Sequence, residues 1–390
     1  MYMTYMLDRV LTNRIRGGKK SILLLGPRQV GKSTLITSLK PDLTINLADE
    51  GEFLSYAKDP GRLKRQVNAS PGAKLIVIDE IQRIPPLLNS VQGIMDQANG
   101  IKFILTGSSA RKLKRGGANL LPGRIILEHL GPLSFWELGT RFDLEKALRI
   151  GTLPGIYLDE QEGEEVLGTY AKVYLREEIQ AEALIKNVGS YARFLDLAAE
   201  LSGQWINYSK MASDSEIPKE TIRRYLSILE ETLLVHLIPS FQPKEKKRRV
   251  SQRDRFVFFD LGVRNALLGI HKSRLSPTEM GHLFEQWIIL QCIDYNRTHH
   301  REWRLSSYRT DVGAEVDLII DVGKKLIAIE CKAGRNASPS WMRGLRSFEE
   351  VAHKPVEKWV VFQGEKREKF ERGEVVVPYQ EFLDRILPKI

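Results

Sequence analysis

A glycine-rich segment near the N-terminus has the residue types and the spacing of a phosphate-binding loop. Its sequence, Gly-Pro-Arg-Gln-Val-Gly-Lys-Ser-Thr, fits the pattern Gly-x-x-x-x-Gly-Lys-Ser. Glycines let the backbone turn tightly, so that successive amide groups point at phosphate oxygens. Lys32 can reach the β- and γ-phosphates, and the Ser33 hydroxyl can ligate Mg²⁺. The pattern predicts an ATP-binding site formed by these residues: Gly26, Pro27, Arg28, Gln29, Val30, Gly31, Lys32, Ser33 and Thr34.

A second segment supplies the carboxylates that such a site needs. Residues 75–80 read Leu-Ile-Val-Ile-Asp-Glu. Four apolar residues before two acidic ones place Asp79 at the carboxyl end of a buried strand, where open α/β sheets bind ligands. Asp79 would hold Mg²⁺, through water or through Ser33. Glu80 would orient and deprotonate the attacking water.

Two later positions are candidates for acting on the phosphates. Thr106 or Ser108, at the end of the next apolar run, could sit between the γ-phosphate and the water, but either could instead cap a turn. Arg124 precedes the fifth apolar run, where an arginine can enter a neighbouring subunit's site and stabilise the transition state in trans. Arg111 and Arg115 are rivals for that role, and an ordinary solvated arginine is the alternative to it. A homo-oligomeric ring through Arg124 is therefore one expectation.

Composition and charge restrict the class of protein and its partners. Lys and Arg outnumber Asp and Glu by 59 to 49, giving a formal net charge of +10, which favours a polyanionic partner such as nucleic acid. Two cysteines cannot form a disulfide framework or a cysteine-rich zinc site. The chain has no run of about 18 apolar residues and no secretory leader, so we expect a cytoplasmic protein with no membrane partner.

Short apolar runs alternate with longer amphipathic stretches along the first third of the chain. Continuous apolar runs separated by helix-length segments are typical of a parallel sheet that is buried on both faces. The sequence therefore predicts an α/β domain whose strands are residues 21–25, 43–47, 75–79, 102–106 and 125–130. Apolar residues three and four positions apart then predict helices over 131–189.

The middle of the chain has the pattern of a helix–turn–helix followed by a hairpin. Residues 208–229 give two helices, with Pro218 suited to the first position of the second. Apolar runs on either side of residues 244–255 could be the strands of a wing, and this loop has seven Lys or Arg against two Asp or Glu. A winged helix would place its second helix in the DNA major groove and the basic loop on phosphates. There are two alternatives: the winged helix binds protein, or the charge run only keeps the hairpin soluble.

Three carboxylates and a lysine in the last third of the chain could form a second metal site. Asp317 lies in one predicted strand, and Glu330 and Lys332 share a face of the next, because side chains alternate along a strand. A hairpin between the strands would bring Asp317 alongside, and Glu285 in the preceding helix would complete the set. The carboxylates could hold one or two Mg²⁺ or Mn²⁺ ions, and Lys332 could activate a water for attack on phosphate.

Four segments together resemble a known family. GPRQVGKST, LIVIDEIQ, FILTGSSA and PLSFWEL are similar to the AAA+-type ATPases of bacteria and archaea that carry an uncharacterised C-terminal domain. The resemblance covers essentially the whole chain, and it implies a parallel sheet of strand order 5-1-4-3-2 with a helical lid near residues 133–189. The C-terminal carboxylates and lysine resemble the PD-(D/E)xK nuclease fold of restriction endonucleases and Holliday-junction resolvases, which also occurs as a binding module.

These features predict three domains: an α/β domain, a winged helix and a second α/β domain. We expect an AAA+-like P-loop sheet with a helical lid over residues 1–189, a winged helix over 190–275 and a PD-(D/E)xK nuclease-like domain over 276–390. The expected activity is Mg²⁺-dependent ATP hydrolysis that acts on DNA, with Mg²⁺ or Mn²⁺ at the C-terminal site. The alternative is an ATP-dependent switch or scaffold whose C-terminal domain binds protein or DNA and cuts nothing.

Overall fold

Five parallel strands form a sheet in the N-terminal part of the computed structural model, which describes residues 7–97, 100–108, 123–174, 187–243 and 250–390. The strands are β1 (Ser21–Leu25), β2 (Leu43–Asn46), β3 (Leu75–Asp79), β4 (Lys102–Gly107) and β5 (Ile125–His129). Their order across the sheet is β2-β3-β4-β1-β5, which confirms the order that the resemblance implies. Because all neighbours are parallel, the segments that follow β1, β3 and β4 meet at one edge of the sheet.

The sheet is buried on both faces, as its continuous apolar runs predict. Along β1, Ile22 and Leu24 belong to one hydrophobic core, whereas Leu23 and Leu25 belong to another, because side chains alternate between the two faces. The helices around the sheet are α1 (Val10–Gly17), α2 (Lys32–Ser38), α3 (Glu50–Lys58), α4 (Arg62–Asn68) and α5 (Leu87–Gln97).

A helical segment follows β5. It contains α6 (Phe135–Leu138), α7 (Leu144–Ile150), α8 (Pro154–Tyr157) and α9 (Gly163–Thr169), in the part of the chain where helices are predicted. A capping box starts α6, since the Ser134 hydroxyl accepts from the Glu137 amide and the Glu137 carboxylate accepts from the Ser134 amide. Residues 175–186 of the predicted lid lie outside the described residues.

Helices and a two-stranded antiparallel ribbon make up the middle of the chain. They are α10 (Val188–Leu201), α11 (Tyr208–Ser215), α12 (Lys219–Glu231), β6 (Val235–Ile238), β7 (Arg255–Phe258) and α13 (Leu261–Leu267). Trp205 forms an additional antiparallel bridge to Arg255. Phe194 of α10 and Leu229 of α12 share one hydrophobic core with Ile22 of β1, so the middle region packs directly on the N-terminal sheet.

A six-stranded mixed sheet forms the C-terminal part. After the long helix α14 (Pro277–Thr298) come β8 (Arg304–Arg309), β9 (Glu315–Asp321), β10 (Leu326–Lys332), α15 (Arg343–Glu349), β11 (Val356–Phe362), β12 (Glu368–Lys369), β13 (Val375–Pro378) and the short α16 (Tyr379–Glu381). The strand order is β12-β13-β11-β10-β9-β8. Strands β9 and β10 pair antiparallel, which confirms the predicted hairpin. Even α14, with 22 residues, is not apolar enough to cross a membrane, and neither is any other described helix.

The junction between α7 and α13 gives a stability prediction. A Cβ atom at Gly262 would lie 1.9 Å from the Ile150 carbonyl oxygen, whereas one at Gly281, inside α14, would meet nothing within 4 Å. We expect Gly262→Ala to lower the free energy of unfolding by about 1–3 kcal/mol, since the backbones must move apart. Gly281→Ala should be neutral or stabilise by up to about 1 kcal/mol. Chemical denaturation of both variants measures this, and equal effects would contradict it.

Candidate functional site

The phosphate-binding loop lies between β1 and α2 and takes a conformation that needs its glycines. Gly31 has a φ of 90°, in the left-handed region, immediately before α2 begins. Gly26 lies against the residue that follows β5, because a Cβ atom there would be 2.3 Å from the Leu130 carbonyl oxygen. The Lys32 side chain is buried, and its ammonium donates to the carbonyls of Gly26 and Pro27 at 2.8 and 2.9 Å. The loop therefore curves around the Lys32 ammonium.

The carboxylates at the end of β3 lie next to this loop. The Ser33 hydroxyl donates to Asp79 Oδ2 at 3.3 Å, which brings together the two predicted Mg²⁺ ligands. Thr106, which is fully buried, donates to Asp79 Oδ1 and accepts from the Glu80 amide at 3.1 Å. The structure thus places Thr106 where it orients Asp79 and the Glu80 backbone. Its predicted contact with the γ-phosphate and water stays a prediction.

Glu80 is held in place by residues on both sides. Its backbone has a φ of 57°, in the left-handed region that non-glycine residues rarely adopt. The Gln82 amide donates to Glu80 Oε2 and, at 3.1 Å, to the Ser108 hydroxyl, which is itself 3.3 Å from Glu80 Oε2. Sequence reasoning missed Gln82, although its place two residues after Glu80 in the segment LIVIDEIQ was a usable signal.

An open cleft surrounds these groups. The loop, Asp79, Glu80 and Gln82 line one side, and Pro154 and Gly155 of α8 come from the helical segment after β5. Arg83 also lines the cleft and is fixed there, since it donates to the Leu47 carbonyl at 2.7 Å and pairs with Glu50 at 2.8 Å. The cleft therefore has one wall from the sheet edge and one from the helices.

A buried arginine that the sequence did not reveal supports the loop from behind. Arg9 is 8% exposed and donates to the carbonyls of Val30, at 2.7 Å, and Gly131, at 2.8 Å. It also forms an ion pair with Glu137 at 2.9 Å. A buried guanidinium needs partners on all sides, so Arg9 joins the loop to the segment before α6. No pattern around Arg9 indicates this role.

The predicted trans-acting arginine has a partner within its own chain. Arg124 forms an ion pair with Asp96 at the end of α5, with 2.7 Å between Nη2 and Oδ1, and both side chains are partly exposed. The rival arginines Arg111 and Arg115 lie outside the described residues. Whether Arg124 reaches a neighbouring subunit stays a prediction from the sequence.

The C-terminal residues that the sequence predicts to converge do lie together. Asp317 Oδ2 accepts from the Cys331 amide at 2.7 Å, and the Lys332 ammonium donates to Glu330 Oε1 at 2.6 Å. Burial and the charges of Glu285 and Glu330 raise the pKa of Asp317 well above its usual value. Burial raises the pKa of Glu330 to about 7, against the opposing charge of Lys332. We call Glu285, Asp317 and Glu330 the carboxylate cluster.

One further residue, Arg255 of β7, lies within the carboxylate cluster. It forms an ion pair with Glu285 and lies 3.9 Å from Asp317 Oδ1. The sequence places Arg255 in the basic loop 244–255, but the structure corrects this, since Arg255 is only 4% exposed. No described group of three or more His, Cys, Asp or Glu side chains is arranged to hold a metal ion. As placed, the cluster does not fit a divalent cation, and the ligand role of its members stays a prediction.

Comparison with protein families identifies the N-terminal domain. Residues 18–139 match a family described as an AAA domain, and with the loop geometry above they form an AAA-type P-loop ATPase domain. Residues 141–274 match a domain of unknown function (DUF8612), and residues 280–382 match another (DUF4143). The match confirms the prediction of an AAA-like P-loop domain in the N-terminal part of the chain.

Similar proteins cover more than half of this chain but assign it no activity. An uncharacterized protein of Mycobacterium tuberculosis is 27% identical over 340 residues, which cover 84% of this chain and 73% of that protein. A signal transduction ATPase with a tetratricopeptide repeat sensor from Pyrococcus horikoshii has a TM-score of 0.26 at 16% identity, over 76% of this chain and 47% of that one. Replication initiator DnaA bound to AMPPCP and single-stranded DNA has a TM-score of 0.29 at 12% identity, over 57% of this chain and 85% of that one. Such low TM-scores define no common overall fold, so the assignment rests on the family match.

The contacts of Gln82 predict a positioning role. Gln82→Ala should lower the rate of ATP hydrolysis by about 10- to 100-fold, because Glu80 loses the amide that fixes its carboxylate. ATP affinity should stay the same, since Gln82 does not belong to the phosphate-binding loop. Gln161→Ala, at an exposed turn position, is the matched control. Steady-state hydrolysis and fluorescent-nucleotide titration measure the two quantities, and a normal rate would remove Gln82 from the site.

Proposed function

We propose that this protein is a Mg²⁺-dependent ATPase that hydrolyses ATP in the cleft beside the phosphate-binding loop. The observation that supports this most directly is the distance of 3.3 Å between the Ser33 hydroxyl and Asp79 Oδ2. These groups come from segments 46 residues apart, yet they are the two oxygen ligands that a P-loop Mg²⁺ needs. The proposal is further supported by the AAA-type domain.

Each residue of the site then has a distinct task. Ser33 and Asp79 would hold Mg²⁺, which neutralises charge on the β- and γ-phosphates when it is bound. The Lys32 ammonium, already confined by the carbonyls of Gly26 and Pro27, would donate to phosphate oxygens as negative charge develops. Such a preorganised donor acts without the cost of ordering a flexible side chain in the transition state.

Glu80 would accept a proton from the attacking water. A general base must be held within hydrogen-bond reach of the proton it removes. The strained backbone of Glu80 and the contacts of its carboxylate with Gln82 and Ser108 restrict where that carboxylate can point. The Thr106 hydroxyl accepts a hydrogen bond from the Glu80 backbone amide and so fixes the backbone there. We also propose that Thr106 contacts the γ-phosphate and the attacking water, as the sequence predicts.

Two substitutions separate binding of ATP from its hydrolysis. Lys32→Ala should abolish hydrolysis, since the main positive charge at the phosphates is lost. Glu80→Gln should bind ATP normally and hydrolyse it at least about 100-fold more slowly, because only the base is removed. Lys64→Ala, at an exposed position of α4, is the control and should change neither ATP binding nor hydrolysis. Phosphate release and nucleotide binding are the measurements, and normal hydrolysis by both active-site variants would show that the site is elsewhere.

We also propose that the middle region binds DNA as a winged helix. The order of its elements supports this: α10, a bridging residue at Trp205, α11, α12, and the β6–β7 ribbon. A winged helix has three helices, a short strand that pairs with the ribbon, and a loop at the ribbon's tip. Residues 244–249, which contain five of the seven Lys or Arg of the predicted basic loop, lie outside the described residues.

The surface of α12 supports the same proposal. Ile222, Tyr225 and Leu229 are buried, while Lys219, Arg223 and Arg224 are exposed on the other face. The exposed face also carries Glu220, 3.8 Å from Arg223, and Glu230. Because the other face packs on the core, the basic side chains of α12 could contact phosphates without unfolding of the helix. Arg223 stacks at 5.0 Å on Tyr208 of α11, which limits its motion.

The salt dependence of DNA binding tests the role of the basic loop. Neutralising Lys246, Lys247, Arg248 and Arg249 together should flatten the slope of log affinity against log salt by up to about four, because each phosphate contact releases a counterion. The matched control neutralises four exposed lysines elsewhere: Lys58, Lys64, Lys74 and Lys366. Fluorescence anisotropy with duplex DNA measures both. Equal slopes for the two quadruple variants would assign the loop to solubility alone.

We propose that the C-terminal part has a nuclease-like fold, which either cuts DNA or only binds it. The β9–β10 hairpin and the convergence of Asp317, Glu330 and Lys332 support that fold. The presence of Arg255 among the carboxylates favours the alternative in which this domain binds DNA or protein and cuts nothing. A homo-oligomer through Arg124 is likewise a proposal, and the ion pair with Asp96 would have to open for it.

A further inference from the structure

Arg255 is held in the carboxylate cluster by its whole guanidinium group. It donates to the Gly203 carbonyl through both Nε, at 3.0 Å, and Nη2, at 2.6 Å. It also donates to the Asp317 backbone carbonyl at 3.3 Å and forms the ion pair with Glu285. The indole of Trp205 lies over it, 5.4 Å from the ring centroid. The side chain is thus fixed from the middle region and from the C-terminal sheet at once.

The carboxylate oxygens are largely engaged in this arrangement. Asp317 Oδ2 accepts from the Cys331 amide, and Asp317 Oδ1 faces Arg255. Glu285 pairs with Arg255, and Glu330 Oε1 pairs with Lys332. The buried Glu330 Oε2 has no hydrogen-bond partner among the described residues. Three carboxylates are therefore balanced by two cations that belong to the protein itself.

We propose that the Arg255 guanidinium takes the place of a divalent cation in the carboxylate cluster and closes it to metal. The ribbon that carries Arg255 is then a plug: as long as β7 stays in position, the cluster joins the middle and C-terminal regions and binds no Mg²⁺ or Mn²⁺. Removal of the guanidinium opens a divalent-cation site on the same carboxylates. This inference does not depend on ATP hydrolysis.

Electrostatics explains why both cations cannot be present together. Arginine does not lose its proton in proteins, so a divalent ion beside it would face a fixed positive charge in a poorly solvated site, where repulsion is strong. Movement of Arg255 out of the cluster would leave the Gly203 carbonyl and Glu285 without their donor, and both groups are partly buried, where a lost partner is costly. Exchange therefore requires β7 to shift as a unit, with Trp205.

Mn²⁺ binding to the full-length, nucleotide-free protein tests this proposal. Electron paramagnetic resonance measures free Mn²⁺, and the bound amount is the difference from the total. Comparison with Asp317→Asn removes the contribution of any ion bound at the ATP site, since that substitution leaves the ATP site unchanged. We expect the wild type and Asp317→Asn to bind equal amounts of Mn²⁺. Arg255→Met should bind at least one ion more than Arg255→Met with Asp317→Asn. The matched control is Arg253→Met, an exposed arginine two residues earlier, which should behave as the wild type does.

Two results would overturn the proposal. If the wild type binds Mn²⁺ that Asp317→Asn loses, Arg255 does not exclude metal. If folded Arg255→Met gains no Mn²⁺ that depends on Asp317, the cluster is a structural junction and not a closed metal site. Because Arg255→Met leaves the partly buried Glu285 without its ion-pair partner, it could fail to fold. In that case Arg255→Gln, whose neutral amide can still donate to Glu285 or to the Gly203 carbonyl, is measured with and without Asp317→Asn. All three carboxylates are then kept, and the same two outcomes decide.

Discussion

The position of β1 between β4 and β5 is the constraint from which the candidate ATP site follows. Hydrogen bonding to both neighbours fixes Leu25 opposite Gly107 on one side and His129 on the other. The loop that begins at Gly26 therefore starts level with the end of β4, beside the end of β3. Thr106 uses this proximity, since it bonds to Asp79 of β3 from the strand between them. A parallel sheet brings such strand ends together whatever lies between them in sequence.

Buried charges join the three regions of the chain. Arg9 links the phosphate-binding loop to the segment before α6, and Arg255 links the middle ribbon to the C-terminal sheet. Asp260 accepts from the amides of Thr152 and Val263, and burial raises its pKa to about 6. A buried charge is tolerated only with partners around it, so each of these residues fixes segments that are distant in sequence.

This arrangement links the proposed ATP site to the C-terminal part through packing. The hydrophobic core that contains Ile22 and Leu24 of β1 continues through α10 and α12 to Phe256 and Phe258 of β7. Arg255 stands at the start of that strand. A change in the N-terminal sheet could therefore reach the plug without a specific pathway of residues, because a close-packed core transmits displacement.

The sequence by itself determined the phosphate-binding loop, the acidic end of β3 and the β9–β10 hairpin, because each is encoded by residues close together in the chain. Glycine spacing, an apolar run before Asp79, and alternation around Glu330 are local patterns with a local physical cause. The resemblance added the strand order, which the pattern of runs alone does not fix. Only the tertiary structure decided the roles of Gln82, Arg9 and Arg255. In the sequence Arg255 is the last of a run of basic residues, and nothing local separates it from its solvated neighbours. Its burial follows from the pairing of β7 with β6 and Trp205, which brings it to carboxylates that lie 30 and 62 residues further along the chain. Partners at that separation are chosen by packing and not by spacing.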